Sequence, residues 1–420
     1  MSTEFFTVNG IRVANIHNSS ENALFGIAVQ AGSNYETPNI AGVSHFAEHM
    51  FFKGTKKRNW RDINIEFAKL GVNNNAYTSS NEVFYHTTCP KENVEPVIDL
   101  MLDMLFNSTV PEEEFEKERN VIIEEKKMYD DDPYYAFDSV IGKELFVWEK
   151  GHDTIGEFET LNTITRDDLI GFLKDKTNLK NLMFICCGNI KTEDLKAYIE
   201  KRVPATHDYL KDGNKNTLSD GFFRDDINYD NKIQLVYERE NLTQSQLTMM
   251  VKGYSVGDPK RQAASVVLSG LGGGMYSKLF TRLREELGLC YSVSMTNFPV
   301  AYPDYTLTRL YSFVSPKNVD VFMEESEKVI ADVIKNGLDQ DLFECAKTDL
   351  LGNLLRGTET SSGKAQYLLK RYLFTDSKDT LEDSVNELKA VTREDCNNVI
   401  AEMFESKYIW AVMNPKGGEC

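Results

Sequence analysis

The chain has 420 residues, of which 41% are hydrophobic, and a formal net charge of -18. This length is sufficient for two or three domains with sizeable cores. The 65 acidic residues outnumber the 47 basic ones, which argues against general binding to nucleic acid or to an anionic membrane, because phosphate contact needs clustered Lys and Arg. If the negative charge selects a partner, it favours basic or neutral peptides. The alternative is that the charge only keeps the protein soluble.

The sequence shows no sorting signal. Residues 1–13 are polar, and they lack the patterns of a signal peptide and of a transit peptide. No run of 18 apolar residues is present, so we expect no transmembrane helix. The seven cysteines are odd in number and include no CxxC pair, which favours reduced, mostly buried thiols over a disulfide framework. We therefore expect a cytoplasmic protein.

The two halves of the chain show the same order of predicted elements. The first half has an apolar strand at residues 23–30, then a helix from about Gly42, and closes with a strand at residues 182–187. The second half has a strand at residues 247–253, then a loop and a helix, and closes with a strand at residues 408–413. This order indicates an internal duplication of an α+β unit.

The predicted boundary between the halves is a segment rich in Asp, Asn and Gly. We predict a first domain over residues 1–210, a linker over residues 211–231 and a second domain over residues 232–420. Strong helical patterns flank this linker, at residues 111–129, 318–335 and 340–356.

The segment from Gly42 to Met50 contains the pattern His-x-x-Glu-His. Residues four apart lie on one face of a helix, so His45 and His49 can bind the same ion. Zinc favours imidazole nitrogen, and a catalytic zinc takes three protein ligands and one water. Zinc lowers the pKa of that water to roughly 7, and Glu48 is placed to take its proton. The pattern is a known catalytic signature; two helix histidines placed by chance are the alternative.

A third ligand is expected in the acidic helix predicted at residues 111–129. Glu118 and Glu125 are seven residues apart, so they share a helix face with Val121 and Ile122. A carboxylate beside buried aliphatic residues is costly unless it is paired or binds a metal. Spacing alone does not choose between Glu125 and its neighbour at position 124, and a solvated acidic helix is the alternative.

At these residues the chain resembles the M16 family of zinc metallopeptidases, and the resemblance covers nearly its whole length. It implies a third zinc ligand 76 residues after His49, which selects Glu125. It also implies that Glu118 is a supporting carboxylate behind the ligands. The fold implied is α+β, with two tandem homologous α/β-sandwich domains of mixed or antiparallel sheets with helices, which form one half of the family's clamshell.

The segment from Asn75 to Ser79 resembles an edge strand of the family's active half. In the family, a substrate peptide adds to this edge as an extra strand, which reads backbone more than side chains. The resemblance implies that Asn75, Ala76 and Tyr77 bind substrate. An ordinary turn and strand is the alternative.

Arg284 and Tyr291, seven residues apart, resemble a pair in the family's half that carries no zinc. The resemblance implies that they hold the substrate and stabilise the oxyanion, a contribution worth roughly 3 to 4 kcal/mol per donor in other hydrolases. A salt-bridged helix Arg and a core Tyr are the alternative. The glycines at positions 272–274 are not a phosphate loop, because no Gly-Lys-Ser/Thr follows.

Only the first half carries the His-x-x-Glu-His pattern, so we expect one zinc ion per chain. The family closes a chamber between two such two-domain halves, which implies a homodimer in which Arg284 and Tyr291 act on the partner's zinc site. We expect a zinc metalloendopeptidase that hydrolyses short or unfolded peptides within the closed chamber. The alternatives are a non-catalytic scaffold subunit and another metal-dependent hydrolase. The remaining histidines fit no ligand spacing and are predicted to be structural or at the surface: His17, His86, His152 and His207.

Overall fold

The computed structural model describes residues 2–218, 233–301, 305–405 and 408–417. The strands are β1 (Ser2–Val8), β2 (Ile11–His17), β3 (Asn22–Val29), β4 (Asn73–Thr78), β5 (Val83–Pro90), β6 (Leu182–Gly188), β7 (Ile233–Arg239), β8 (Ser245–Lys252), β9 (Cys290–Ala301), β10 (Tyr305–Val314) and β11 (Ile409–Pro415). The helices are α1 (Val43–Met50), α2 (Trp60–Lys69), α3 (Val94–Asn107), α4 (Glu112–Asp131), α5 (Pro133–Leu145), α6 (Trp148–Gly151), α7 (Phe158–Thr163), α8 (Arg166–Lys176), α9 (Thr192–Glu200), α10 (Arg261–Gly272), α11 (Val319–Asn336), α12 (Gln340–Gly357), α13 (Ser361–Thr375), α14 (Leu381–Ala390) and α15 (Arg393–Glu405).

The described residues group into two compact units. The first lies within Met1–Gly221 and Gly357–Leu381, and the second within Phe222–Arg356 and Glu382–Cys420. This division differs from the predicted second domain, residues 232–420, because α13 belongs to the first unit. The predicted linker is described only up to residue 218, and the remainder lies outside the described residues.

Helix α13 packs on β3 and β6, the two most apolar strands of the first sheet. Arg12 on β2 fixes the end of this helix by donating to the carbonyl oxygens of Tyr372, at 2.9 Å, and Leu373, at 3.3 Å. These unpaired carbonyls at a helix C-terminus need a donor, which the guanidinium supplies. The domain boundary predicted from composition therefore missed a helix that is remote in sequence from the sheet it covers.

The first unit is built on a six-stranded mixed sheet in the order β1-β2-β6-β3-β5-β4. The pair β2–β6 is parallel and the other pairs are antiparallel. The central strands β3 and β6 are almost continuously buried, as expected for strands covered on both faces. Strand β4 lies at one end of the sheet and pairs with β5.

The second unit repeats this topology with five strands in the order β7-β11-β8-β10-β9. Its pair β7–β11 is parallel and the other pairs are antiparallel. Apart from β1, the two sheets therefore correspond strand by strand. The predicted fold class, α+β with two tandem units of mixed sheets and helices, is confirmed.

The local predictions agree with the observed elements. The strands predicted at residues 23–30, 182–187, 247–253 and 408–413 are β3, β6, β8 and β11. The helix predicted from about Gly42 is α1, and those predicted at residues 111–129, 318–335 and 340–356 are α4, α11 and α12. All six cysteines in the described ranges are free, and four of them are buried. Within the same ranges, no helix combines the length and the apolar character needed to span a membrane.

Candidate metal centre

Helix α1 is amphipathic, with an apolar side in the core and a polar side directed toward α4. Val43, Phe46 and Met50 are buried in the core of the first unit. His45, Glu48 and His49 are partly exposed on the other side. The spacing of apolar residues thus fixes how the short helix is rotated, and that rotation presents all three polar side chains together.

Aromatic stacking holds α1 against α4. The rings of Phe46 and Phe115 are stacked with centroids 4.3 Å apart and planes inclined by 5°. The Arg119 guanidinium lies 5.0 Å from the Phe115 ring centroid and donates to the carbonyl oxygen of Ile164 at 2.7 Å. This buried contact sets the distance between the helix that carries the paired imidazoles and the helix that carries the acidic residues.

The structure brings the three predicted ligands together. Oε2 of Glu125 lies 3.7 Å from Nε2 of His45 and 3.4 Å from Nε2 of His49. One donor atom from each residue lies within 4.8 Å of the other two. Two imidazole nitrogens and one carboxylate oxygen are a donor set that catalytic zinc sites use. No other group of three or more His, Cys, Asp or Glu side chains in the described part of the chain converges in this way.

The neighbouring Glu124 points elsewhere. Its side chain is largely exposed and pairs with Lys127 at 2.6 Å. Residue spacing left the choice between Glu124 and Glu125 open; of the two, Glu125 is the one whose carboxylate lies beside the paired imidazoles. Ile122 is fully buried, as predicted for its helix face. The same prediction is wrong for Val121, which is 49% exposed, because position 121 lies on the solvent side of the helix.

Glu118 supports the second imidazole from behind. Its Oε2 lies 2.9 Å from Nδ1 of His49, and its Oε1 lies 2.5 Å from Nζ of Lys53. A carboxylate that accepts from the distal N–H of a metal-bound imidazole fixes the tautomer and the ring orientation. Glu118 is buried, and the two partners keep its pKa below the usual range although burial alone raises it.

The electrostatics of the metal-free centre are set by these contacts. Burial, and next the neighbouring His49, lower the pKa of His45 to about 4. Burial acts against protonation of His49 as well, but Glu118 and Glu125 raise its pKa to about 9. The pKa of Glu125 is lowered, first by its hydrogen bond with His49. The raised pKa favours a proton on each ring nitrogen of His49, with Nδ1 facing Glu118 and Nε2 facing Glu125. A metal ion bound at Nε2 would replace the proton on that nitrogen.

Glu48 is held by the end of the edge strand. The hydroxyl of Thr78 on β4 donates to Oε2 of Glu48 at 2.5 Å. Burial raises the pKa of Glu48, and the hydrogen bond from Thr78 opposes that rise. A carboxyl group with a raised pKa beside a metal centre has the character of a general base. The sequence reasoning did not single out Thr78 as a partner of Glu48.

The predicted substrate strand is the terminal strand of its sheet. Asn75 is exposed, Ala76 and Tyr77 are half-buried, and all three lie in β4. They pair on one side with His86, Tyr85 and Phe84 of β5. The opposite edge of β4 has no strand partner among the described residues, and a terminal strand is the kind of edge to which β-augmentation occurs. On β4 itself, the backbone N–H of Ala76 donates to Oδ1 of Asn75 at 2.9 Å.

Arg284 and Tyr291 lie next to each other in the second unit. Arg284 belongs to a π-helical turn, Phe280–Glu286, and Tyr291 follows at the start of β9. The guanidinium carbon lies 5.6 Å from the centroid of the Tyr291 ring. The alternative of a salt-bridged Arg and a core Tyr is met only in part: Arg284 forms an ion pair with Glu285, whereas Tyr291 is 83% exposed and is not a core residue. Both side chains are thus presented at the surface of their unit.

The remaining histidines have structural contacts. His17 Nδ1 lies 3.0 Å from the carbonyl oxygen of Ile190, and His207 accepts the backbone N–H of Tyr209 at 3.1 Å. The ring of His86 stacks on Phe84. His152 is buried and pairs with Glu36. The sequence carries no motif for that pair, because its members are more than a hundred residues apart.

The fold and the donor set define a two-unit α+β protein with a His-His-Glu group that could hold a metal ion. The family model for insulinase, peptidase family M16, matches residues 12–144, and the model for the peptidase M16 inactive domain matches residues 163–350. An uncharacterized zinc protease of Bacillus subtilis, YmxG, is 30% identical over 411 residues, which span 97% of this chain and 97% of that protein. An uncharacterized zinc protease of Streptomyces coelicolor is 27% identical over 402 residues, which span 94% of this chain and 86% of that protein.

The chain belongs to peptidase family M16. Among solved structures, a protease from Helicobacter pylori matches with a TM-score of 0.87 and 18% identity, covering 99% of both chains. A peptidase M16 inactive domain from Pseudomonas fluorescens matches with a TM-score of 0.85 and 17% identity, covering 100% of this chain and 99% of that one. At these identities the structural likeness concerns the fold. The family and the names of the relatives support a peptidase role and suggest zinc as the metal.

Proposed function

We propose that this protein is a zinc-dependent endopeptidase that hydrolyses short or unfolded peptides and binds one zinc ion per chain. The observation that carries the proposal is the convergence of His45 Nε2, His49 Nε2 and Glu125 Oε2 around one point, with Glu48 on the same helix. His45, His49 and Glu125 would hold a zinc ion there, which would polarise the scissile carbonyl and lower the pKa of a bound water to roughly 7.

Glu48 is the general base. It accepts a proton from the water that adds to the scissile carbonyl carbon, and then passes the proton to the leaving amine as the C–N bond breaks. Thr78 occupies one oxygen of the Glu48 carboxylate, which orients the other oxygen for proton transfer. The base is thus fixed by the last residue of the strand to which the substrate is proposed to bind.

The substrate backbone pairs with the open edge of β4, beside Asn75, Ala76 and Tyr77. Main-chain pairing is largely independent of side chains, which suits an enzyme that accepts varied unfolded peptides. Thr78 lies in the same strand and touches Glu48 at 2.5 Å. A peptide on this edge therefore passes close to the general base.

Arg284 and Tyr291 stabilise the oxyanion. They supply a cation and a phenolic donor at the surface of the second unit. Donors placed where negative charge develops favour the transition state over the substrate. We further propose a homodimer that closes a chamber, in which this pair acts on the metal centre of the partner chain.

The test is cleavage of a quenched fluorescent, unfolded peptide by the metal-loaded protein. Glu48→Gln is expected to lower kcat by about 10²–10⁴-fold while zinc content is unchanged. Glu124 is an exposed carboxylate on α4 that pairs with Lys127; Glu124→Gln is the matched control and retains activity. Full hydrolysis by the Glu48→Gln variant excludes Glu48 as the base. A wild-type protein that binds zinc but cleaves no peptide instead favours a scaffold subunit.

A further inference from the structure

Glu36 and His152 form a buried pair at the start of α1. The side chain of Glu36 is fully shielded from solvent and that of His152 is 4% exposed. Glu36 accepts the backbone N–H of Gly42 through Oε2 at 2.7 Å, and that of Ser44 through Oε1 at 2.8 Å. Nε2 of His152 lies 3.0 Å from the same Oε2. Glu36, which His152 contacts, therefore binds the backbone immediately before His45, the first predicted metal ligand.

The contacts of His152 define its protonation state. Nδ1 lies 2.9 Å from the carbonyl oxygen of Trp148, and a carbonyl oxygen only accepts, so Nδ1 carries a hydrogen. Nε2 faces a carboxylate, which also accepts. Both ring nitrogens are therefore donors, and the ring is an imidazolium. It stacks on the Trp148 ring with centroids 4.1 Å apart and planes inclined by 6°, which fixes its orientation.

The segment that follows His152 crosses the start of α1 in direct backbone contact. Gly42 and Gly156 have φ of 94° and 92°. A Cβ on Gly42 would lie 2.5 Å from the carbonyl oxygen of Ile155, and one on Gly156 would lie 2.5 Å from that of Ala41. Only glycine permits both this conformation and this approach. The backbone crossing and the buried pair thus hold the same point of the helix.

The imidazoles of His45 and His49 differ in the hydrogen bonding of their Nδ1 atoms. Nδ1 of His49 has Glu118 at 2.9 Å. Nδ1 of His45 is buried and has no hydrogen-bond partner within the described ranges. No hydrogen bond to Nδ1 therefore orients the His45 ring, so its direction depends more strongly on the backbone of α1 at its first turn. Glu36 binds the N–H of Ser44, the residue directly before it.

We propose that Glu36 and His152 are positioning residues for the metal centre, which fix the first turn of α1 and thereby direct His45 toward Glu125. The inference rests on the proposed function, since it concerns the metal that this function requires. A buried ion pair is weak evidence for stability, because its desolvation offsets much of its attraction. The proposed contribution of the Glu36–His152 pair is geometric, because residues that support metal ligands raise the affinity for the metal by holding those ligands in place.

The test measures the zinc affinity of metal-depleted protein by competition with a chromophoric chelator, together with kcat and KM. Glu36→Gln replaces one accepting oxygen with an NH₂ group that faces a backbone N–H or the imidazolium. It is expected to lower zinc affinity by roughly 10–100-fold and to lower kcat with little change in KM. His152→Phe is expected to have a similar effect. His152→Gln, which keeps a donor near Glu36, is expected to recover most of the affinity.

The matched control is Asp103→Asn. Asp103 is a buried carboxylate on α3 that accepts from Thr55 at 2.8 Å and Arg58 at 2.7 Å, neither of which is a predicted metal ligand. This variant is expected to lose stability and to keep wild-type zinc affinity. If Glu36→Gln does not fold, the zinc affinities of the two His152 variants test the positioning role, which predicts tighter binding by His152→Gln than by His152→Phe.

The inference is overturned if the folded Glu36→Gln and His152→Phe variants bind zinc as tightly as the wild type. It is also overturned if the control loses affinity to the same extent, since the effect is then one of general stability. A wild-type protein that neither binds zinc nor cleaves peptide contradicts the proposed function itself. A wild-type protein that does both, with unaltered variants, contradicts only the positioning role.

Discussion

The two units share one sheet topology but differ in the helix that follows the corresponding strands β3 and β8. In the first unit this helix is α1, which carries His45, Glu48 and His49. In the second unit it is α10, which is longer, largely buried, and contains neither His nor Glu. The same scaffold thus carries the helix with the candidate metal ligands in one copy and an apolar helix in the other. Topology alone does not define the chemistry; the side chains of one helical turn and one distant carboxylate do.

The second unit differs in what it exposes. Tyr291 and the adjacent Arg284 are displayed at its surface, whereas the first unit holds its polar side chains in a partly buried cluster. A buried cluster suits metal binding, because its ligands must be oriented and shielded from competing water. An exposed pair suits recognition of a group that arrives from elsewhere. This difference underlies the division of roles that we propose, and the following variants test it.

The largest effect is expected from Glu125→Gln, which makes the first unit resemble the second by removing its third ligand. Loss of the carboxylate should abolish tight zinc binding and peptide cleavage together, because two imidazoles alone leave the metal site incomplete. Zinc content after dialysis and cleavage of the quenched peptide are the measurements. Glu124→Gln should behave as wild type, and equal loss in both variants would contradict the assignment.

Tyr291→Phe and Arg284→Ala test the proposed role of the second unit. Each is expected to lower kcat by about 10²–10³-fold without changing zinc content, because each removes a donor to the oxyanion. Steady-state kinetics and metal analysis check this. A variant with normal kcat would exclude that residue from catalysis.

The same variants test whether the second unit acts on a partner chain. A mixture of Glu48→Gln and Tyr291→Phe chains is expected to regain cleavage, because a heterodimer contains one complete site when the pair acts in trans. Neither variant alone should show this activity. Failure to regain activity in a mixture shown to exchange subunits would contradict action in trans.

A smaller effect is expected from Thr78→Val, which removes the hydroxyl bound to Glu48 and keeps the shape of the side chain. We expect kcat to fall roughly tenfold, which corresponds to about 1.4 kcal/mol, in the range of one hydrogen bond to a charged group. Thr78→Ser keeps the donor and should retain most of the rate. If Ser and Val behave alike, the hydroxyl has no role in orienting the base.

The smallest effect is expected in the pH dependence of the unfolding free energy. Burial opposes the charge of His152, but Glu36 first, then the Trp148 carbonyl and the nearby Asp153, raise its pKa above the ordinary value of 6.5. Because the folded-state pKa is raised, this group stabilises the fold fully below pH 6.5, and the contribution is lost as pH rises through the folded-state pKa. The difference in unfolding free energy between wild type and His152→Gln, measured on metal-free protein, should therefore shrink with rising pH. A difference that is constant or grows would contradict the ion pair.

Local patterns predicted much of this molecule. Helical spacing located α4, α11 and α12, and the pattern in α1 identified His45, Glu48 and His49, because both signals lie within a few turns of chain. The prediction of Glu125 required more than residue spacing, because spacing left Glu124 equally possible. Only the family resemblance selected Glu125. Thr78, Glu36 and the placement of α13 were not predicted. Each depends on contacts between segments far apart in sequence, which periodicity and composition do not encode.

The central claim is that His45, His49 and Glu125 bind one zinc ion. The most direct measurement is a crystal structure of the zinc-loaded protein with anomalous diffraction recorded at the zinc absorption edge. We expect a single anomalous peak per chain, in contact with both imidazoles and the Glu125 carboxylate. A peak held by other side chains, or its absence in protein that cleaves peptide, would contradict the account.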